Sequence, residues 1–271
     1  MDRLPCVISE ECDNRIKAFI RERLDIDMEH PLGKGVFNIA RKYAIVVRYP
    51  LVDEEENDAF MLRDIPSSQG EQKFIFVNTS KTTEKQVFAT AHELGHVLGI
   101  YNELGIKEYD EERIVNRFAA DLLMPDKAFR SREKEEIAKR KRNEEISFME
   151  FMNVVVEAMN YYCTTFDAVV IRFYELGILS EESAEYLVSE ESKEVVSVIL
   201  EQIINEKGYD NLLSVTKSKS IDGLDELLES IEEKGELPPK AVRLKEKYKV
   251  ITNKDGLKTK KELIRLQEDF T

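Results

Sequence analysis

The sequence predicts an α+β fold. A small antiparallel three-stranded sheet is followed by a helix bearing two histidines one turn apart, and then by a largely helical C-terminal region. Three observations carry that expectation. Residues 43–49, 59–63 and 73–77 are rich in β-branched and aromatic residues, with polar breaks at 53–58 and 66–70. Residues 83–100 place Val87, Phe88, Ala91, Leu94, Val97 and Leu98 at helical spacing around His92 and His96. From residue 126 onward the apolar residues recur almost wholly at helical period.

Taken in order, residues 9–29 place Ile16, Phe19, Ile20 and Leu24 at helical spacing, and His30-Pro31-Leu32-Gly33 ends the pattern. A second helix is expected over 36–42, before the strands. Asn78-Thr79-Ser80 supplies turn and capping chemistry ahead of the histidine-bearing helix. A further helix over about 111–124 stops at Pro125. Residues 130–145 are a dense charge run, read as a solvated helix face or a loose linker. Residues 147–179 read as packed apolar helices, with further helices over about 181–206 and 221–234 and a break at Pro238-Pro239. The expected division is a domain over 1–180 and a helical extension over 181–271.

At 42% apolar and 35% charged, the composition is that of a helix-rich globular chain, and no stretch is long enough in apolar residues to span a bilayer. The opening Met1-Asp2-Arg3-Leu4-Pro5-Cys6 lacks an apolar signal core. Three cysteines, Cys6, Cys12 and Cys163, show no metal-type spacing. They read as free thiols in a reducing cytoplasm, with a Cys6–Cys12 pair as the minor alternative. A net charge of −14 argues against nucleic acid as the main ligand. The charge is uneven, however: 181–236 is acidic, while 240–265 holds ten Lys or Arg against Glu246, Asp255 and Glu262. That basic block reads as a solvated tail, without the interleaved aromatics of a single-strand binder.

His92-Glu93-Leu94-Gly95-His96 carries the chemistry. Histidines at i and i+4 of a helix share one face, so two imidazole nitrogens can reach one cation. Glu93 need not be a ligand; beside a metal it can hold and deprotonate a water. Zinc lowers the pKa of such a water from ~15.7 toward ~7, within reach of a carboxylate base. The pattern implies metal-assisted hydrolysis of an amide, with Glu93 as general base and His92 and His96 as zinc ligands. Two of the chain's three histidines are used here, and His30, beside Pro31, reads as a turn residue. A catalytic zinc site needs a third protein ligand. The extended motif with a third histidine fails, since Asn102 stands at that position. A glutamate from the downstream helix, where Glu111 and Glu112 occupy the first turn, remains. Acidic residues there also suit the helix dipole alone.

The string from Gln86 to His96, followed by Asn116-Arg117-Phe118-Ala119-Ala120-Asp121-Leu122-Leu123-Met124-Pro125, resembles the ImmA/IrrE family of metallopeptidases. Lys73-Phe74-Ile75-Phe76-Val77-Asn78 is similar to that family's strand ending in Asn. The family's second signature is Glu-x-x-Ala-Asn-x-Phe-Ala-Ala-x-Leu-Leu-Met-Pro. Matched residue by residue, it places the metal-binding glutamate at Glu112, with Glu111 as second choice; Val115 stands where Ala is usual. The resemblance covers about residues 10–180 and implies a zincin-like core of gluzincin type, with a helix-turn-helix-like segment at 147–179. That segment offers only Arg172 as a cation between Thr164 and Tyr174, too few for DNA binding, so packing or substrate docking is expected instead.

The resemblance further implies a cytoplasmic zinc endopeptidase that cuts a helix-turn-helix repressor of a mobile element or stress response. The alternatives are a toxin-like or housekeeping peptidase or amidase with the same chemistry, and a non-enzymatic zinc-containing binding module. Against the last, a structural site has no use for Glu93. Asn116, one turn after Glu112, is read either as orienting a ligand or as capping backbone. Tyr101 and Tyr109 are the nearby tyrosines for an oxyanion donor, though neither is singled out by the sequence.

Overall fold

The computed structural model describes residues 4–51, 58–67, 70–143 and 145–221. These form ten helices and a mixed four-stranded sheet. Helix α1 (Glu10–Leu24) is capped by Ser9, whose side chain accepts from Cys12 N, and closes at Asp25 in the left-handed region (φ 52°). A 3-10 turn (Gly33–Gly35) leads into α2 (Val36–Ala40) and then β1 (Ile45–Tyr49). A hairpin of β2 (Ala59–Ser67) and β3 (Gly70–Asn78) follows.

The sheet differs from the expectation. Its order is β2-β3-β1-β4, with β4 (Ser220–Ile221) the last described segment of the chain. Strands β2 and β3 are antiparallel, but β1 pairs with β3 in parallel, from Ile45↔Phe74 to Tyr49↔Asn78. The expected all-antiparallel three-stranded sheet is therefore corrected to a mixed sheet of four. The physical reason is that β2 turns away and returns as β3, and it is β3 that docks on β1. Side-chain alternation marks a strand's two faces and leaves its partner open. The break expected at 66–70 is where the hairpin closes, with Ser67 opposite Gly70, and the register slips between Leu62 and Ile65.

Strand alternation sorts the sheet's two faces. Val46, Ile75 and Val77 face Ala40 of α2 and Val97 of the next helix. Val47, Tyr49, Phe60, Phe74 and Phe76 lie opposite, with Phe60 and Phe76 stacked at 4.9 Å between centroids. The helix against the first face is α3 (Thr83–Leu98), which carries the two histidines. It ends two residues short of the expected boundary, because Gly99 takes φ +66° and redirects the chain into α4 (Ile100–Leu104). Asn78 is buried at the C-terminal end of β3, where its Oδ1 accepts from Leu51 N and Ser80 N at 3.0 Å each, fixing the turn that launches α3.

Next come α5 (Glu111–Leu123), α6 (Asp126–Arg140), α7 (Phe148–Tyr162), α8 (Phe166–Glu175), α9 (Glu181–Val188) and α10 (Lys193–Lys207). Helices α1, α3, α5, α7 and α8 supply most of one continuous apolar core, including the edge-to-face pair Phe19–Phe118 at 6.3 Å. The charge run is the helix α6, and it is not wholly solvated, since Glu133 is fully buried. Helices α7 and α8 meet at 108° across a three-residue turn. Among the described residues no single helix is long and apolar enough to cross a membrane.

Beyond α10 the chain runs back over the start of α3. Thr83 N donates to Ser214 O at 3.2 Å, Lys217 N to Thr79 O at 2.9 Å, and Thr79 Oγ1 to Ser218 O at 2.7 Å, before β4 joins β1. The expected helix over 221–234 begins at a β4 residue; its remainder, like the basic block at 240–265, lies outside the described residues.

Candidate metal centre

Helices α3 and α5 meet at a glycine. A Cβ on Gly95 would come within 2.9 Å of Val115 Cγ1 and 3.0 Å of Phe118 Cδ1, so only glycine admits this approach without displacing α5. Val115, the departure from the family pattern, is thus the residue lying against Gly95. The close packing brings the first turn of α5 to the histidine face of α3. Asp110 caps α5, accepting from Arg113 N at 2.7 Å, and so sets Glu111 and Glu112 in that turn.

His92 and His96 Nε2 lie 3.2 Å apart. The Glu112 carboxylate approaches both, with Oε2 3.3 Å from His92 Nε2 and Oε1 3.2 Å from His96 Nε2. The outer ring nitrogens are also engaged: His92 Nδ1 donates to Asn116 Oδ1 and His96 Nδ1 to Glu111 Oε1, both at 2.9 Å. An ionised carboxylate only accepts, so Nδ1 of His96 carries the proton. The same holds for His92 opposite an amide oxygen. In a neutral imidazole that leaves Nε2 as the nitrogen with a lone pair to offer inward.

The two Nε2 atoms and both carboxylate oxygens of Glu112 thus converge on one point. A tetrahedral metal with ligands at ~2.0–2.1 Å spaces its ligand atoms roughly 3.3–3.4 Å apart; the two Nε2 atoms are 3.2 Å apart, and each lies 3.2 to 3.3 Å from a different oxygen of Glu112. His92, His96 and Glu112 could thus hold a metal ion, and they are the group of that kind among the described residues. Burial, with His96 adding, pushes the His92 pKa below its usual value, against the Asn116 hydrogen bond and Glu112. A neutral imidazole is the form that binds metal. The His92 and His96 side chains are 19% and 12% exposed and Glu112 65%, so the centre opens on the Glu112 side.

Of the other residues singled out, Glu93 follows His92 on α3 and is half-buried. Asn116 holds His92, so the orienting role describes it, whereas Glu111 serves His96 from outside the ligand group. That outer role of Glu111 was missed; its signal was the doubled glutamate itself, with one residue facing the cation and the next facing a ligand's far nitrogen. Tyr109 Oη accepts from Ser9 N at 2.9 Å, at the start of α1, and Tyr101 is half-buried against the core. His30 is exposed in a bend, and the three cysteines are free. Arg172 is fully buried, donating to Asp121 at 2.7 Å and to the Met124 carbonyl at 2.8 Å.

Two histidines one turn apart on a helix, with a glutamate from the next long helix beside both, thus make a candidate metal site. Residues 40–164 match the peptidase family described as the IrrE N-terminal-like domain. This stretch is thus similar to the metallopeptidase domains of the ImmA/IrrE type. No curated protein matches the chain.

Proposed function

We propose that the chain is a zinc-dependent endopeptidase in which His92, His96 and Glu112 hold the metal and Glu93 is the general base. The observation that carries this reading is the convergence of the two Nε2 atoms and the Glu112 carboxylate, with contacts of 3.2 to 3.3 Å, each imidazole held from behind by its own acceptor. Imidazole and carboxylate donors suit zinc, which supplies Lewis acidity toward the scissile carbonyl and acidifies a water. Glu93 orients that water, takes its proton during attack and delivers it to the departing amine. Asn116 and Glu111 keep the two imidazoles in the tautomer with Nε2 unprotonated.

In this reading α3 and the sheet behind it form a zincin-like core. Residues 1–180 are the peptidase unit, and 181–271 an extension that ties back to the start of α3. The resemblance to the ImmA/IrrE family supports a cytoplasmic helix-turn-helix repressor as the substrate.

Glu93→Gln tests the assignment. It keeps the ligands and the fold, so metal content should be unchanged while cleavage of a co-encoded helix-turn-helix repressor falls by about 10²–10⁴-fold. Cleavage at the wild-type rate refutes Glu93 as base. A zinc-loaded wild-type protein that leaves the repressor intact refutes the substrate.

A further inference from the structure

The sheet has two apolar faces, and the described elements account for the cover of one. Helices α2 and α3 lie on the face of Val46, Ile75 and Val77. On the other, Val47, Tyr49, Leu51, Phe60, Phe74 and Phe76 form a second cluster, and none of the six is more than 6% exposed. Among the described residues that cluster gathers only strand residues and Leu51, with Ile221 of β4 packed at its edge. Lys219 lies over one end, its Nζ 5.4 Å from the centroid of the Tyr49 ring. Neighbouring strands do not hide such side chains. They stand roughly perpendicular to the pleated surface, so their outer ends meet water unless another layer lies on them. Phe60, Phe74 and Phe76, at 4–5% exposed, therefore mark a covered face. A sheet buried on both sides needs a layer on each.

The course of the chain points to the cover. Ile221 stands opposite Val47 of β1, so the two side chains share this face, and the chain leaves β4 from there. The residues that follow are Asp222-Gly223-Leu224-Asp225-Glu226-Leu227-Leu228-Glu229-Ser230-Ile231-Glu232-Glu233-Lys234. Leu224, Leu227, Leu228 and Ile231 fall at i, i+3, i+4 and i+7, one apolar stripe of a helix, and the positions between them are polar. A helix over 224–234 is ~16 Å long, and four strands at a spacing of ~4.8 Å span ~14 Å. Its length thus suits the sheet from whose edge it starts. The other stretches outside the described residues lack this combination. Residues 52–57 hold Val52 as their one apolar side chain, 1–3, 68–69 and 144 are too short to cover a sheet, and 240–265 is dense in lysine and arginine and does not adjoin β4.

We propose that residues 222–234 dock as an amphipathic helix on the outer face of the sheet, laying Leu224, Leu227, Leu228 and Ile231 over Phe60, Phe74 and Phe76. Helix α3 rests on the opposite face, so the extension that ties back to the start of α3 also closes the sheet beneath it. The metal helix is then held between its own core and a sheet backed by the C-terminal part of the chain. This inference is independent of the metal chemistry and stands whether or not the chain is a peptidase.

The chain contains no tryptophan, so a single introduced one reports its own surroundings. In the full-length protein, Phe74→Trp should emit at short wavelength and resist quenching by acrylamide. Adding Leu227→Asp and Leu228→Asp should shift the emission to the red and raise the quenching constant severalfold, with the helical circular dichroism retained. A reporter open to acrylamide without the aspartates, or one that stays protected with them, overturns the proposal. So does protection that is lost on dilution, which would assign the cover to a second copy of the chain. If the aspartate variant does not fold, a second pair of full-length variants decides: Leu228→Trp should be protected, and Glu229→Trp, on the opposite side of the stripe, quenched freely. Equal accessibility of the two overturns the docked helix.

Discussion

Helix α5 has two charged faces with opposite characters. Toward α3 it presents the side-chain oxygens of Glu111, Glu112 and Asn116 to two imidazoles. Toward α1 and α8 it presents Arg113, Arg117 and Asp121, joined by Asp13, Arg172 and Glu175. The second set is balanced, three arginines against three carboxylates, with Arg117 contacting Asp13 at 2.6 Å and Asp121 at 3.2 Å. Burial alone would raise the Glu175 carboxyl, but Arg117, then Arg172 and Arg113, hold it below its usual value. One face pairs arginines with carboxylates, while the other gathers two imidazoles and a carboxylate that could hold a metal ion. That difference in donor chemistry, more than the number of charged groups, separates a candidate ligand site from internal structure.

The comparison breaks most readily at Arg117. Arg117→Met leaves Glu175, Asp13 and Asp121 short of a partner and should cost about 3–5 kcal/mol of stability. The folded fraction should still bind metal at wild-type stoichiometry. Denaturant unfolding and metal analysis check both, and a small stability loss accompanied by loss of metal would mean that the two faces are one system. A smaller effect is expected on the other face. Asn116→Ala removes the acceptor behind His92 and should weaken metal binding about 10–100-fold with little change in stability. Competition with a chelator measures it, and unchanged affinity would deny Asn116 its orienting role.

The smallest effect sharpens the contrast with an imbalance that has no ligand geometry. Glu133 is fully buried and one of its oxygens has no hydrogen-bond partner among the described residues. Burial, only partly offset by Arg132, raises its carboxyl from 4.5 to about 7. Because the folded pKa exceeds the unfolded one, the folded state binds more protons between those values, and stability falls as pH rises through that window. Glu133→Gln should therefore raise stability at pH 8 by roughly 1–3 kcal/mol, the gain fading toward pH 4.5. Thermal melts at both pH values decide it, and a gain independent of pH would show that the carboxyl does not titrate there.

Much of this site is local in the chain, and to that extent it was legible beforehand. His92 and His96 share a face by helical period alone. Glu112 required the second signature, because two adjacent glutamates in a first turn are equally good for the dipole; only the α3–α5 contact at Gly95 distinguishes them in space. The partner of Arg172 was hidden for the same reason. A lone arginine on an apolar helix shows no preference for Asp121, fifty-one residues away, until the core is packed.

The helices follow from periodicity, and their ends from Gly99 and Pro125. The parallel β1–β3 pairing did not follow, since alternation carries no record of partner or direction. Nor did β4, whose two residues are too short to show a pattern and join the sheet only because the chain after α10 bonds to Thr79 and Thr83.

The most direct measurement is zinc stoichiometry and affinity for metal-free wild-type protein and for His96→Ala, by calorimetric titration with circular dichroism as the control for folding. The account predicts one high-affinity zinc per wild-type chain and none for His96→Ala with its helical signal intact. Equal zinc binding by both proteins, or none by the folded wild type, would contradict it.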